Sequence, residues 1–493
     1  MKSVESDAKR YKSYSKLNLQ RLAMGSIESD IDKLTLKLGN EEISPDINQL
    51  MEKLTLNLTS SSNLNKDVKP LLHSIKNFLL HSDIEFFDYD LLIELLDAIV
   101  ALCPFEDVLA VFSVDDLVAA LESGSRSLIT TVCKVISAAY PRDIFAGTPL
   151  IDELLKLYFD DFAVVSIISE LEKTFDTLST NQLNRRRILE NNLPTIMNAK
   201  NSNNSTTFCR LLDLLKMLAV NVSFEEFRKD IFSVDEKTIR EAMENDVLVF
   251  IHICQYVCEL LNLVIKGHGK EWIVRYIDKS FDIFGEAYAR RDELYDVSHF
   301  ANSYLLRIFS KISYLDEKLY IKNLELKYFP LSVDKPYCVD FLTVLNPSYI
   351  VKSHNELLRE LNLRPRNVHM FVNLIKDEEC FNIIKDEINS KSLEAMPYLE
   401  QMYLLVGLTS ELYGIHHLTH NIPAIMNNLI DSGNNVTEQV CFDLRQKVFE
   451  NLLDADPQEL SIWLIPLQSE YSNILNGRSK RLSEKHKVAD DYI

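Results

Sequence analysis

The 493-residue sequence predicts an all-α fold, an elongated α-solenoid of stacked helical repeats, and three observations predict it. Leucine-rich apolar runs at helical spacing fill the chain, while alternating strand patterns with Asn-Gly or Asp-Gly turns are almost absent. Only 11 glycines and 14 prolines occur, and no long Gly/Ser- or Pro-rich linker divides the chain. A polar stripe recurs on successive helices at near-constant intervals. A chain this long exceeds one compact core, so it is either several domains or one extended array, and the missing linker favours the array.

Residues 1–25 are expected to form a disordered extension. They carry Lys2, Lys9, Arg10, Lys12, Lys16 and Arg21 against Glu5 and Asp7, with little apolar periodicity. Ser26 reads as an N-cap with acidic residues in the turn after it, which makes Met24 an alternative start to Met1. From 26 to 122 come short amphipathic helices, among them DINQLMEKLTLNL and VKPLLHSIKNFLL, with Pro70 suited to an opening turn. The whole of 26–477 reads as one continuous array, and the polar, unpatterned 478–493 as a disordered tail whose Lys480, Arg481, Lys485 and Lys487 could serve nuclear import.

The repeats are clearest from 123 to 266. Ser127, Thr131, Lys134 and Ser137 stripe one helix; Ser166, Ser169, Lys173 and Asp176 the next; Thr206, Arg210 and Asp213 the third. The fourth, VLVFIHICQYVCELLNLVIK, carries His252, Gln255, Glu259, Asn262 and Lys266 at steps of three and four on one narrow face. The centres Lys134, Lys173, Asp213 and Gln255 recur at steps of about 40 residues, in the range of HEAT and armadillo arrays. Each striped helix follows another that begins near Asp115, Pro149 or Pro194. Such pairs cannot bury their apolar faces alone, so neighbours stack and leave one polar edge per repeat. Burying Glu259 unpaired would cost several kcal/mol. The stripe is therefore expected to face water, another polar group or a partner, and a membrane-spanning role for the fourth helix is disfavoured.

Gly267-His268-Gly269-Lys270 has the look of a phosphate loop, but a helix rather than a strand precedes it, so Gly267 is expected to end that helix in the left-handed region. Positions 270–345 keep a looser period. Asn192-Leu193-Pro194-Thr195-Ile196-Met197-Asn198 recurs in the second half as Asn421-Ile422-Pro423-Ala424-Ile425-Met426-Asn427. Asp88 with Asp90 and Asp377-Glu378-Glu379 sit where helices begin, complementing the dipole.

Catalytic signatures are missing: there is no nucleophile elbow, Walker loop, dinucleotide fingerprint or kinase motif set. His416 and His420 stand one turn apart, but a metallohydrolase would need a general-base glutamate between them, and the gap, with Leu418 and Thr419, holds none. His252 and Cys254 point to different helix faces. The chain is thus read as a non-enzyme that needs no metal or cofactor. Its formal charge of −20 and pI near 5.1 weigh against direct contact with nucleic acid. The 8 cysteines fall mostly inside apolar helical stretches, which suits a reducing compartment, cytoplasmic or nuclear.

Several blocks are similar to one family. They are Asp67-Val68-Lys69-Pro70-Leu71-Leu72, Phe105-Glu106-Asp107-Val108-Leu109, Arg185-Arg186-Arg187 before Asn191-Asn192-Leu193-Pro194, Asp377-Glu378-Glu379-Cys380-Phe381-Asn382, Pro397-Tyr398-Leu399-Glu400-Gln401-Met402, and Leu460-Ser461-Ile462-Trp463 with Glu470-Tyr471-Ser472. In this order they resemble the yeast assembly chaperones of the proteasome regulatory-particle base, a family also labelled DNA mismatch repair. The resemblance spans about 26–477. It implies a curved HEAT-type solenoid that binds the C-terminal domain of an AAA+ ATPase subunit of the base, acts on base assembly intermediates, and leaves before the finished proteasome works. It supplies no residue-level motif. The partner-binding candidates come from the stripe spacing alone: Lys173, Arg210, Asp213, His252, Gln255 and Glu259. A monomer without membrane attachment is expected, and the alternative reading is a nuclear scaffold in mismatch repair.

Overall fold

The structure, a computed structural model, describes residues 27–40, 44, 46–60, 66–81, 87–267, 269–315, 319–431 and 438–476. The expected terminal extensions, the Ser26 cap and the tail's basic cluster lie outside them. Among the described residues every regular element is helical. The chain divides into two compact units, one ending at Val234 and the other beginning at Asp235.

In the first unit five helices form one layer: α1 (Asp46–Thr59), α2 (Tyr89–Val100), α3 (Arg126–Ser137), α4 (Val165–Ser179) and α5 (Ser205–Asn221), each packed on its predecessor. Their starts keep a step of about 40 residues, so the period read from the polar stripes is the period of the stack. A second layer, with Lys69–His81, Phe105–Val111, Val114–Glu122, Leu150–Tyr158 and Leu193–Lys200, packs against the first. Residues Leu92, Leu95, Leu96 and Ile99 of α2 or Leu211, Leu214, Leu215 and Leu218 of α5 show the pattern that drives this: apolar positions three or four apart, all buried between the layers.

Local chemistry sets the helix ends. Asp88 caps α2 by accepting from the Leu91 amide, Ser113 and Asp116 form a reciprocal capping box, and Pro70 occupies the opening turn of Lys69–His81. Polar side chains also tie one repeat to the next. Thr131 donates to Asp97 at 2.5 Å, Arg187 and Asn192 both donate to Asp152, and Arg185 forks onto Glu226 at 3.0–3.2 Å.

The second unit repeats the plan with less regular spacing. Its layer runs α6 (Val247–Ile265), α7 (Asn302–Ile312), α8 (Cys338–Val344), α9 (Val368–Leu374), α10 (Tyr398–Thr409), α11 (Gln439–Asp454) and α12 (Leu464–Asn476). Gly267 ends α6 with φ +70°, as its position after a long apolar helix predicts, and Asp377 caps Glu378–Ile384 through the Cys380 amide. The apolar α6 is the one described helix long and apolar enough to cross a membrane; Phe250, Ile253, Cys254, Leu260 and Leu261 on it are fully covered by neighbours.

The paired Asn-Pro segments mark a larger likeness than their sequences suggest. Gln182–Arg186 continues into a π turn over Arg187–Asn191 and then Leu193–Lys200; Leu412–His416 continues into a π turn over His417–Asn421 and then Pro423–Asp431. The offset that carries Arg187 onto His417 also carries the surrounding contacts from one unit to the other. Asn221 on α5 donates to Ser179 at 2.9 Å, and Asn451 on α11 donates to Thr409 at 3.2 Å. The same helix-π-helix module, with matching contacts, is therefore present in both units.

Candidate partner-binding face

A helix in the middle of a layer is covered by a neighbour on each flank and by the second layer beneath, which leaves one open sector. Part of each stripe falls in that sector. On three consecutive helices of the first unit, Lys134 and Lys173 are exposed and Asp213 is half-buried. Each has a charged neighbour: Lys134 pairs with Asp97 of α2, Lys173 with Glu170 at 2.7 Å, and Asp213 with Lys216 at 2.8 Å. Ion pairs this exposed contribute at most about 1 kcal/mol. Their charges stay available to a partner without a large cost in fold stability.

Arg210 is placed differently. It is half-buried, and its Nη1 donates to the carbonyl oxygens of Tyr158 at 3.1 Å and Asp160 at 2.7 Å, closing the end of Leu150–Tyr158. The Tyr158 hydroxyl returns a bond to the Arg210 carbonyl at 3.1 Å. Its guanidinium therefore stitches the two layers together, a role that residue spacing alone does not reveal. Thr131, also on a stripe, is buried against Asp97 and belongs to the same class of repeat-to-repeat ties.

In the second unit His252, Gln255 and Glu259 are half-buried on the open side of α6, between the fully covered Ile253, Cys254 and Val257. The His252 ring bonds the Leu248 carbonyl at 3.1 Å, and Glu259 accepts from Asn262 at 3.1 Å. Burial pushes the Cys258 thiol up to about 11 and Cys254 well above its usual range, which fits buried, unreactive cysteines; all eight are free. The periodic reading passed over two residues of the next helix: Arg307, exposed, and Lys311, half-buried, stand one turn apart on α7 and are close enough to act on the Cys258 thiol. Their spacing of four was the available signal, hidden by the irregular period after 270. Further on, the His369 ring of α9 meets the Tyr403 ring of α10 edge-on at 4.9 Å.

His416 and His420 stack at 4.2 Å, with His420 bonded to the His416 carbonyl, and no group of three or more His, Cys, Asp or Glu gathers among the described residues. The arrangement offers mixed-charge, partly solvated faces and a helical scaffold beneath them.

The chain is similar to known proteins along nearly its whole length. The family profile "DNA mismatch repair protein HSM3, N terminal domain" matches residues 28–262, and "DNA mismatch repair protein HSM3, C terminal domain" matches 270–493. A protein of Kluyveromyces lactis named DNA mismatch repair protein HSM3 is 64% identical over 95% of this chain and 100% of its own. Those of Eremothecium gossypii and Saccharomyces cerevisiae are 33% and 32% identical, over 91% and 94% of this chain and 94% and 98% of theirs. With two-layered helical repeats in both units and these matches across both, the chain belongs to the HSM3 family.

Proposed function

We propose that the chain is an assembly chaperone for the base of the proteasome regulatory particle, binding the C-terminal domain of an AAA+ ATPase subunit and leaving before the mature proteasome forms. The observation that carries the reading is the row of Lys134, Lys173 and Asp213 on consecutive helices. Repeated elements that keep charge at the open position of three consecutive helices make a surface suited to holding a folded protein, with no catalytic step. The resemblance of the ordered blocks between 26 and 477 supplies the identity of the partner. Base assembly intermediates are then the working partners, and the chain acts as a monomer in the cytoplasm or nucleus.

The test is a titration of the isolated ATPase C-terminal domain against the full chain. A one-to-one complex is expected, weakened at least tenfold when Asp213→Lys and Glu259→Lys are combined, with helicity unchanged. Unaltered affinity of the double variant would remove the stripes from the binding site.

A second reading, a nuclear scaffold in DNA mismatch repair, draws its support from the printed name of the relatives. A salt-sensitive shift of duplex DNA by residues 25–477 would favour it, since phosphate contacts release counterions. The charge of −20 weighs against this outcome.

A further inference from the structure

The first unit holds a cavity of about 270 Å³ between its layers, walled by Lys69–His81 and Val114–Glu122 on one side and by α2 and α3 on the other, and open to solvent beside the exposed Leu80 and Ala119. Most of its lining is apolar, with Leu79, Leu80, Leu96, Val100, Phe112 and Val135 among the residues that supply it. The polar side chains at its edge already have partners inside the protein. Lys76 Nζ donates to the Val111 carbonyl at 3.0 Å and to Asp116 at 2.5 Å, and Asp116 also accepts from the amide and hydroxyl of Ser113 at 2.7 Å each. Ser123 donates to the Ala120 carbonyl at 2.7 Å, and Thr131 to Asp97.

A lining whose polar side chains are all partnered rewards no polar group on a ligand, and a charge brought in would lose the hydration of its buried side without compensation. Water gains little there for the same reason, since a held water needs two to four polar partners. Such a site favours displacement of water by carbon. An apolar cavity of ~150 Å³ suffices for benzene, so this one has room for a molecule up to about twice that size. We propose that the cavity is a binding site for a small, uncharged, wholly apolar molecule, aromatic or aliphatic. Thr131 is the one stripe residue in its lining, and the site does not rest on the chaperone reading.

The experiment uses the full chain with 1-methylnaphthalene as probe and 1-naphthoate as its charged counterpart, followed by ligand-observed NMR and thermal melts. Saturable one-to-one binding of the hydrocarbon is expected, with a concentration-dependent rise in melting temperature, and naphthoate should bind at least tenfold more weakly. Ala120→Phe and Ala119→Phe, two positions at the solvent edge of the lining, should each reduce hydrocarbon binding at least tenfold; circular dichroism selects whichever retains the helical signal. Failure of the hydrocarbon to saturate, equal binding of naphthoate, or unchanged binding in a folded filling variant would each overturn the proposal.

Discussion

Arg445 and Glu470 show what a single buried contact does in a fold of this kind. Both are almost fully buried; the Arg445 Nη2 donates to Glu470 at 2.9 Å and to the Leu429 carbonyl at 2.8 Å, and the guanidinium lies 5.1 Å from the Phe449 ring centre. Taking both charges out of water offsets much of their attraction, so the pair holds register more than it adds stability. Arg445→Met, which takes the ion-pair partner from buried Glu470 and leaves it the Asn473 amide at 3.0 Å, is expected to destabilise the second unit by about 3–5 kcal/mol. Arg445→Met with Glu470→Leu should recover most of that loss in urea unfolding; equal losses in single and double variants would show that the charges are not coupled. His417 adds a pH dependence. Burial holds its pKa below the usual imidazole value against the opposing pull of the Ile388 carbonyl, which accepts from Nε2 at 2.8 Å, while Nδ1 accepts from the Asn421 amide at 3.0 Å. The unfolded chain therefore binds the proton more readily. Stability from this histidine is complete above about pH 6.5, the unfolded value, and is lost as pH falls through the lower native one. Glutamine can make both hydrogen bonds without titrating, so His417→Gln should flatten the fall in urea midpoint between about pH 7 and about pH 5. A fall of undiminished slope would place the titrating group elsewhere. The carboxyls of Asp30, held low chiefly by the Lys53 hydrogen bond, and of Asp152, where Arg187 and Asn192 outweigh burial, lose their contribution only at more acid pH.

At the scale of elements, the paired π turns are the feature with the sharpest steric requirement. At Gly414, just before the second of them, an added Cβ would stand 2.1 Å from the Leu408 carbonyl oxygen and 2.9 Å from its carbon. Backbone cannot move aside as a side-chain tip can, so Gly414→Ala must shift α10 against the turn, and a loss of about 1–3 kcal/mol is expected in the second unit's unfolding free energy. A neutral result would mean that the two segments slide freely past each other. The first unit has Asn184 at the corresponding place, where the side chain itself donates to the Arg142 carbonyl at 2.9 Å. Here the limits of sequence reading become physical. The helices Arg126–Ser137 and Val247–Ile265 were legible almost to their ends, because apolar spacing and capping chemistry are written into adjacent residues. The π turns were not, since a change of hydrogen-bond register leaves hydropathy nearly untouched. Only the Asn-Pro echo hinted at them, and it sets Asn192 against Asn421 where the structure sets Asn191 against Asn421. Likewise, Lys134 and Lys173 were found at the open position because it shows as a break in an apolar face. Arg210 was indistinguishable from them, because its partners are backbone carbonyls at the end of a different helix.

For the whole molecule, packing and sequence similarity place the division of the chain differently. The compact units meet between Val234 and Asp235, whereas the family profiles divide at 262–270. The difference turns on α6. It packs on Glu236–Asn245, Glu271–Ile273, Val274–Ala289, the π turn Val297–Ala301 and α7, all of which follow Val234, and four of these five lie beyond residue 262. A fragment cut at 262 keeps most of α6 but loses those four. Side chains such as Phe250, Ile253, Val257 and Leu261 would then lose cover worth about 1.5–3 kcal/mol each when complete. A helix that apolar, left with one flank bare, drives self-association. Residues 27–234 are therefore expected to give a helical species with a cooperative thermal transition, and residues 28–262 to aggregate or elute as a mixture on size exclusion. The reverse outcome, a well-behaved 28–262 and an unfolded 27–234, would show that α6 belongs energetically to the first unit. In that case the polar face of His252, Gln255 and Glu259 would have to be grouped with Lys134, Lys173 and Asp213 when the binding surface is mapped.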